Sequence, residues 1–270
     1  MNEKETNIII TRIERWYNRL QSMLIEDRKS LTAKYSWSKD PVPFADRLDK
    51  KYQSIQKGES WGKEWDSAWF HLVGKVKKEW ADKIIVADLD FSGEGLVYDP
   101  KGNEIQGITN ASIWDPNFIR TRIIIPKNCF KKNTVELWVE AAANSLFGIY
   151  LDPDPEQNNP KRHGSFDAKV ETIDIGIFRK DIWELYLDAR ILCGLIERLD
   201  KKSTRRARII NSLNQAIIVF KDDIKNTESS RKVLSKELNK RAAASDLKVA
   251  AVGHAHIDTG WLWPVKETIR

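Results

Sequence analysis

The chain has 270 residues, 41% hydrophobic and 31% charged, and carries a net charge of +6. That is enough length for a sizeable core in one or two domains, with the composition of an ordinary soluble globular protein. Its basic residues are scattered among nearly as many acids, and the short run Lys201-Lys202 with Arg205, Arg206 and Arg208 reads as a solvated helix face, which argues against a nucleic-acid partner. No apolar run approaches the roughly 18–20 residues that cross a membrane. The opening MNEKETNIII has no charged stretch followed by a long apolar one, so no secretory signal is expected. Cys129 and Cys193 lie outside any CxxC spacing. A reduced, cytoplasmic protein without a disulfide scaffold or a thiolate zinc site is therefore expected.

Residues 6–30 predict an amphipathic helix. Ile10, Ile13, Tyr17, Leu20 and Leu24 recur at three- and four-residue spacing, with Arg12, Glu14, Arg15, Arg19 and Asp27 opposite. Between 36 and 62, Asp40-Pro41, Pro43 and Gly58 break that period and predict an irregular connection. From Trp61 to Ile177 the pattern is one of short strands, at 69–73, 83–89, 96–98, 104–108, 121–125, 134–142, 147–151 and 169–177. Asp99-Pro100-Lys101-Gly102 has the chemistry of a turn, and 152–164 that of an exposed polar loop. Many short strands separated by turns predict an antiparallel sandwich or jelly roll. Five of the eleven tryptophans fall between Trp61 and Trp114, where core packing is the expected use and sugar stacking the alternative. His71, inside a strand pattern, is expected to pack rather than bind a ligand, and His163 lies in the polar loop.

After Phe178 the helical period returns. One stripe is Ile182, Leu185, Ala189, Leu192, Ile196 and Leu199; a second runs from Ile209 through Leu213, Ala216, Ile217 and Phe220 to Ile224. Lys201-Lys202-Ser203-Thr204 separates them, and a third helix is expected over 229–244. The organisation expected is α+β: an N-terminal helix and irregular connection (1–60), a β-sandwich (61–178), a helical linker (179–245), and the start of a further domain (246–270).

That last stretch, LKVAAVGHAHIDTGWLWPVKETIR, carries the chemistry. Its apolar run 247–252 predicts a strand buried on both faces, as in a parallel sheet. His254, His256 and Asp258 follow at alternate positions, so an extended chain would place two nitrogens and one oxygen donor on one face. Imidazole and carboxylate beyond a strand end are suitable ligands for zinc or a similar divalent ion. Trp261 and Trp263 come directly after.

GHAHIDTGWLWPVKETIR resembles the opening motif of the zinc-dependent glycoside hydrolase family 38 α-mannosidases, and WGKEWDSAWFHL resembles the bacterial and cytosolic branch of that family. The resemblance implies an N-terminal sandwich and connecting helices before an α/β barrel, of which 246–270 would be the first, incomplete part. It implies one zinc ion per active site, with His256 and Asp258 as ligands, Trp261 as the aromatic platform of the adjoining sugar subsite, and His254 in a supporting role. No catalytic residue is implied among these 270, since the family's nucleophile, acid/base and remaining zinc ligands lie downstream. The chain alone is therefore expected to be an inactive portion of a longer retaining enzyme. Its substrate would be a mannose-containing oligosaccharide, with neither membrane nor nucleic acid as partner, and homo-oligomers occur among similar enzymes. Trp263 is expected to pack under the barrel rim, while Glu267 suits a helix surface as well as a site. Two other readings compete: a different metal-dependent hydrolase, since amidohydrolase barrels also place His-x-His at a strand end, and a non-catalytic, tryptophan-rich sandwich that binds glycans.

Overall fold

The sheet begins earlier than the strand pattern predicts, at Ile25. A computed structural model describes residues 3–109, 119–144, 166–241, 248–256, 258–261 and 263–269. In chain order it contains α1 (Glu3–Ser22), β1 (Ile25–Ser30), β2 (Thr32–Ser38), β3 (Gln53–Ile55), β4 (Ser60–Lys63) and β5 (Ser67–Lys75). Next come β6 (Ile85–Asp90), β7 (Glu94–Tyr98), β8 (Glu104–Thr109), β9 (Arg122–Ile124), β10 (Phe130–Lys131) and β11 (Thr134–Ala142). Then follow β12 (Asp167–Lys169), β13 (Thr172–Phe178), α2 (Lys180–Arg198), α3 (Thr204–Phe220), α4 (Thr227–Leu238) and the short α5 (Val265–Ile269). The strand expected at 147–151, the loop at 152–164 with His163, and Trp114 lie outside the described residues.

The chain divides into two compact units, 27–177 with 254–270, and 1–26 with 178–253. In the first, β1-β13-β6-β9 form one sheet and β3-β2-β5-β11-β7-β8 another, with β10 also on β11 and a separate β12-β4 ribbon. β11 is antiparallel to β5 along its whole length, setting Leu137 opposite Leu72 and Val139 opposite Phe70. Alternation then sends Phe70, Leu72, Val135, Leu137, Val139 and Ala141 into a core shared with Ala87, Leu89, Ile123, Ile173 and Ile175 of the other sheet. This is the antiparallel sandwich, and Trp61 and Trp80 are buried in it as expected. Burial removes those two rings from sugar stacking. The opposite face of the larger sheet is also covered. Trp69, Tyr98 and Trp138 pack under Val42, Phe44 and Tyr52, and the Arg47 guanidinium lies over the rings of Phe44 and Trp138. His71 stacks on Trp138 at 4.2 Å and hydrogen-bonds Glu136 at 3.0 Å, a packed histidine as expected.

The second unit is helical. Ile13, Trp16 and Leu20 of α1 are buried, as are Ile182, Leu185, Ala189, Leu192 and Ile196 of α2 and Ile209, Leu213, Ala216 and Phe220 of α3. Tyr17 stacks on Tyr186 at 4.8 Å, and Trp16 meets Phe220 edge-on. Ser203 caps α3, its side chain accepting from the Arg206 N–H, which explains the break read at 201–204.

Three expectations need correction. The helix predicted over 6–30 ends at Ser22, because Asp27 adopts φ +53° and 25–30 join a sheet. The irregular connection predicted over 36–62 contains the end of β2, all of β3 and most of β4. The strand predicted over 247–252 is absent among the described residues 248–252. Val249 and Val252 are 89% and 87% exposed, and no neighbouring strand supplies the hydrogen bonds that an extended chain needs.

Candidate functional site

Among the described residues, the His-x-His-x-Asp stretch has no regular structure, and a turn and then α5 follow. His256 Nε2 and Asp258 Oδ1 are 2.9 Å apart, both side chains open to solvent. The His254 ring lies nearly parallel to that of His256, with centroids 6.4 Å apart. His256 and Asp258 are thus in contact, in a loop rather than a strand, with His254 next to His256. Gly260 takes φ +65°, where L side chains are rarely found, and reverses the chain there. Beyond it, Trp261 remains 63% exposed with Trp263 edge-on to it at 5.6 Å, and the Trp261 N–H donates to the Trp263 carbonyl.

Thr268, which the sequence pattern did not single out, joins this turn to α5. Its hydroxyl accepts from the Gly260 N–H at 3.3 Å and the Trp263 Nε1–H at 3.1 Å, and donates to the Asp258 carbonyl at 3.4 Å. Trp263 is half-buried, in line with a packing role. Glu267 lines a groove with Gly95, Leu96 and Gly107, where β7 and β8 each present a glycine. The Lys266 ammonium donates to the Lys39 carbonyl at 2.8 Å and pairs with Asp40 at 3.2 Å. These contacts seat α5 on the end of β2.

The seat is itself anchored by a buried carboxylate. Asp66 accepts from Lys39 Nζ at 2.8 Å, Trp37 Nε1 at 2.9 Å and the Lys63 N–H at 2.8 Å. Burial pushes its pKa up, but the bonds from Lys39, Lys63 and Trp37 outweigh that and hold it below the ordinary carboxylate value.

His256 and Asp258 suit a divalent ion in donor kind. At 2.9 Å the two groups hydrogen-bond each other directly. Among the described residues no group of three or more His, Cys, Asp or Glu side chains converges on one point, so this is a two-donor set. No helix among the described residues is long and apolar enough to cross a membrane.

Comparison with known proteins agrees with this architecture. Residues 29–167 match the profile described as "Alpha-mannosidase, jelly roll domain", and 246–270 match "Glycosyl hydrolases family 38 N-terminal domain". Alpha-mannosidase 2C1 of Mus musculus is 26% identical over 257 residues, which is 93% of this chain and 23% of that protein. Alpha-mannosidase G of Dictyostelium discoideum is 26% identical over 98% of this chain and 25% of its own length. The chain thus spans about a quarter of the relatives that it matches. Among solved structures, a Ruminococcus gnavus beta-glucuronidase superposes with a TM-score of 0.39 at 13% identity, covering 56% of this chain and 28% of that one. With more than half its length on the jelly-roll profile and its end on the hydrolase profile, the chain belongs to the glycoside hydrolase family 38 α-mannosidases.

Proposed function

We propose that these residues form the N-terminal part of a zinc-dependent retaining α-mannosidase acting on terminal α-D-mannosides of oligosaccharides. The observation that carries this reading is the exposed His256–Asp258 pair, an imidazole nitrogen and a carboxylate oxygen 2.9 Å apart within the segment that matches the hydrolase profile. Those two side chains would hold the ion, whose chemistry when bound is Lewis-acid polarisation of the sugar oxygens it meets. Trp261 offers an exposed indole face to the apolar side of a pyranose ring. His254, beside His256, orients the pair.

On the same reading, 247–252 become the first strand of an α/β barrel when strands pair on either side, covering Val249 and Val252. Retaining hydrolysis needs two carboxyl groups about 5–5.5 Å apart across the scissile bond. This reading draws both from parts of the enzyme other than these residues, so residues 1–270 alone turn over no mannoside. Two free cysteines suit a reducing, cytoplasmic setting.

In the native gene product, His256→Ala and Asp258→Ala are each expected to remove bound zinc and to lower hydrolysis of an aryl α-mannoside about a hundredfold. Wild-type turnover in either variant would refute the ligand assignment. Full activity in a native species of 31.2 kDa would refute the partition of the catalytic groups.

A further inference from the structure

We propose that Thr268 is a positioning residue for the site, its hydroxyl clamping the turn that carries Asp258 and Trp261 against α5. The inference rests on the reading of His256 and Asp258 as a metal pair. Asp258, Gly260 and Trp261 are all exposed, so packing does little to fix them. Hydrogen bonds must then hold the turn, and three of them converge on Thr268 Oγ1, from Gly260, from Trp263 and to the Asp258 carbonyl.

A hydroxyl has one proton to donate and two lone pairs to accept with, and all three are used here. Each bond controls a different part of the turn. The bond to the Asp258 carbonyl fixes the backbone from which the carboxylate projects toward His256. The bond from Gly260 fixes the left-handed residue that reverses the chain, where a Cβ would come within 3.1 Å of Val265. The bond from Trp263 holds the indole against which Trp261 packs edge-on. Because Lys266 ties α5 to Lys39 and Asp40, the clamp links the pair to the sandwich rather than to a free helix.

Val replaces the hydroxyl with a methyl group of similar size, while Ser keeps the hydroxyl. In Thr268→Val, the Gly260 amide and Trp263 indole N–H signals are expected to move to the positions of water-exposed groups and to exchange faster. Zinc affinity, titrated with the metal alone, should fall about fivefold, the weight of one to two lost hydrogen bonds. Thr268→Ser should restore both, and overall stability in urea should change little, which separates positioning from a merely structural role. Unchanged Gly260 and Trp263 signals in Thr268→Val, or wild-type zinc affinity in that variant, would overturn the clamp. A wild-type protein that binds no zinc would refute the metal reading instead, and the Gly260 and Trp263 signals would then decide the clamp alone.

Discussion

Asp66 shows how one side chain joins the sandwich to the segment that carries the site. It is 4% exposed and accepts three hydrogen bonds, one from a cation, so removing its charge sets three donors, one of them the Lys39 ammonium, against a neutral amide. Asp66→Asn is expected to cost about 2 kcal/mol by urea unfolding. Its depressed pKa also sets a direction with pH. The unfolded chain binds the proton first as pH falls, so this contribution is present above the ordinary value of 3.8 and is lost as pH drops through the lower folded value. The variant should show a flatter acid limb; an unchanged limb would exclude Asp66 as its source. Gly102 makes a different demand. It sits at φ +93° in the turn after Asp99, and an added Cβ would lie 2.6 Å from Phe44 Cε1, a rigid ring already packed on Trp69 and Tyr98. Gly102→Ala should therefore destabilise by about 1–3 kcal/mol, and a neutral effect would show that the strap at 42–52 can move aside.

At the scale of elements, β5 and β11 were legible because both are dense in aromatic, aliphatic and β-branched residues, with Phe70, Leu72, Leu137 and Val139 on one face. Phe70 is fully buried against Phe91, Trp61 and Tyr35, and Phe70→Ala is expected to cost about 3–5 kcal/mol. β1 was hidden for a physical reason. Five of its six residues are exposed, at the edge of its sheet, so no alternation marks it and nothing in the pattern separates it from the preceding helical stripe. β3 is three residues long and forms only by pairing with β2, a non-local contact that no local window reports. The opposite error occurred at 247–252, where an apolar run signals a buried strand although burial depends on neighbours that the run itself does not encode. The cysteines offer a simple check on both units. Burial, then the charges of Asp99 and Glu136, raises Cys129 to about 11; burial, then Glu197 and Glu14, raises Cys193 to about 12. Neither thiol should react readily with a disulfide reagent at neutral pH, and both should on unfolding. Rapid labelling of the native protein would contradict these environments.

For the molecule as a whole, the sandwich seats the C-terminal segment through Lys266, and the proposed site reduces to His256, Asp258 and the turn behind them. The motif's spacing singled out His256 and Asp258, and the structure sets their side chains 2.9 Å apart. Thr268 escaped notice because it acts across ten residues by a hydroxyl, a contact with no periodic signature. The chain holds four histidines, so four imidazoles can be followed separately by NMR as zinc is added. The account predicts that His256 responds at the lowest zinc concentration, together with the Asp258 carboxylate, and that Asp258→Ala abolishes this first response while His71 and His163 stay silent. A titration in which His71 or His163 responds first, or in which Asp258→Ala leaves the His256 response intact, would contradict it.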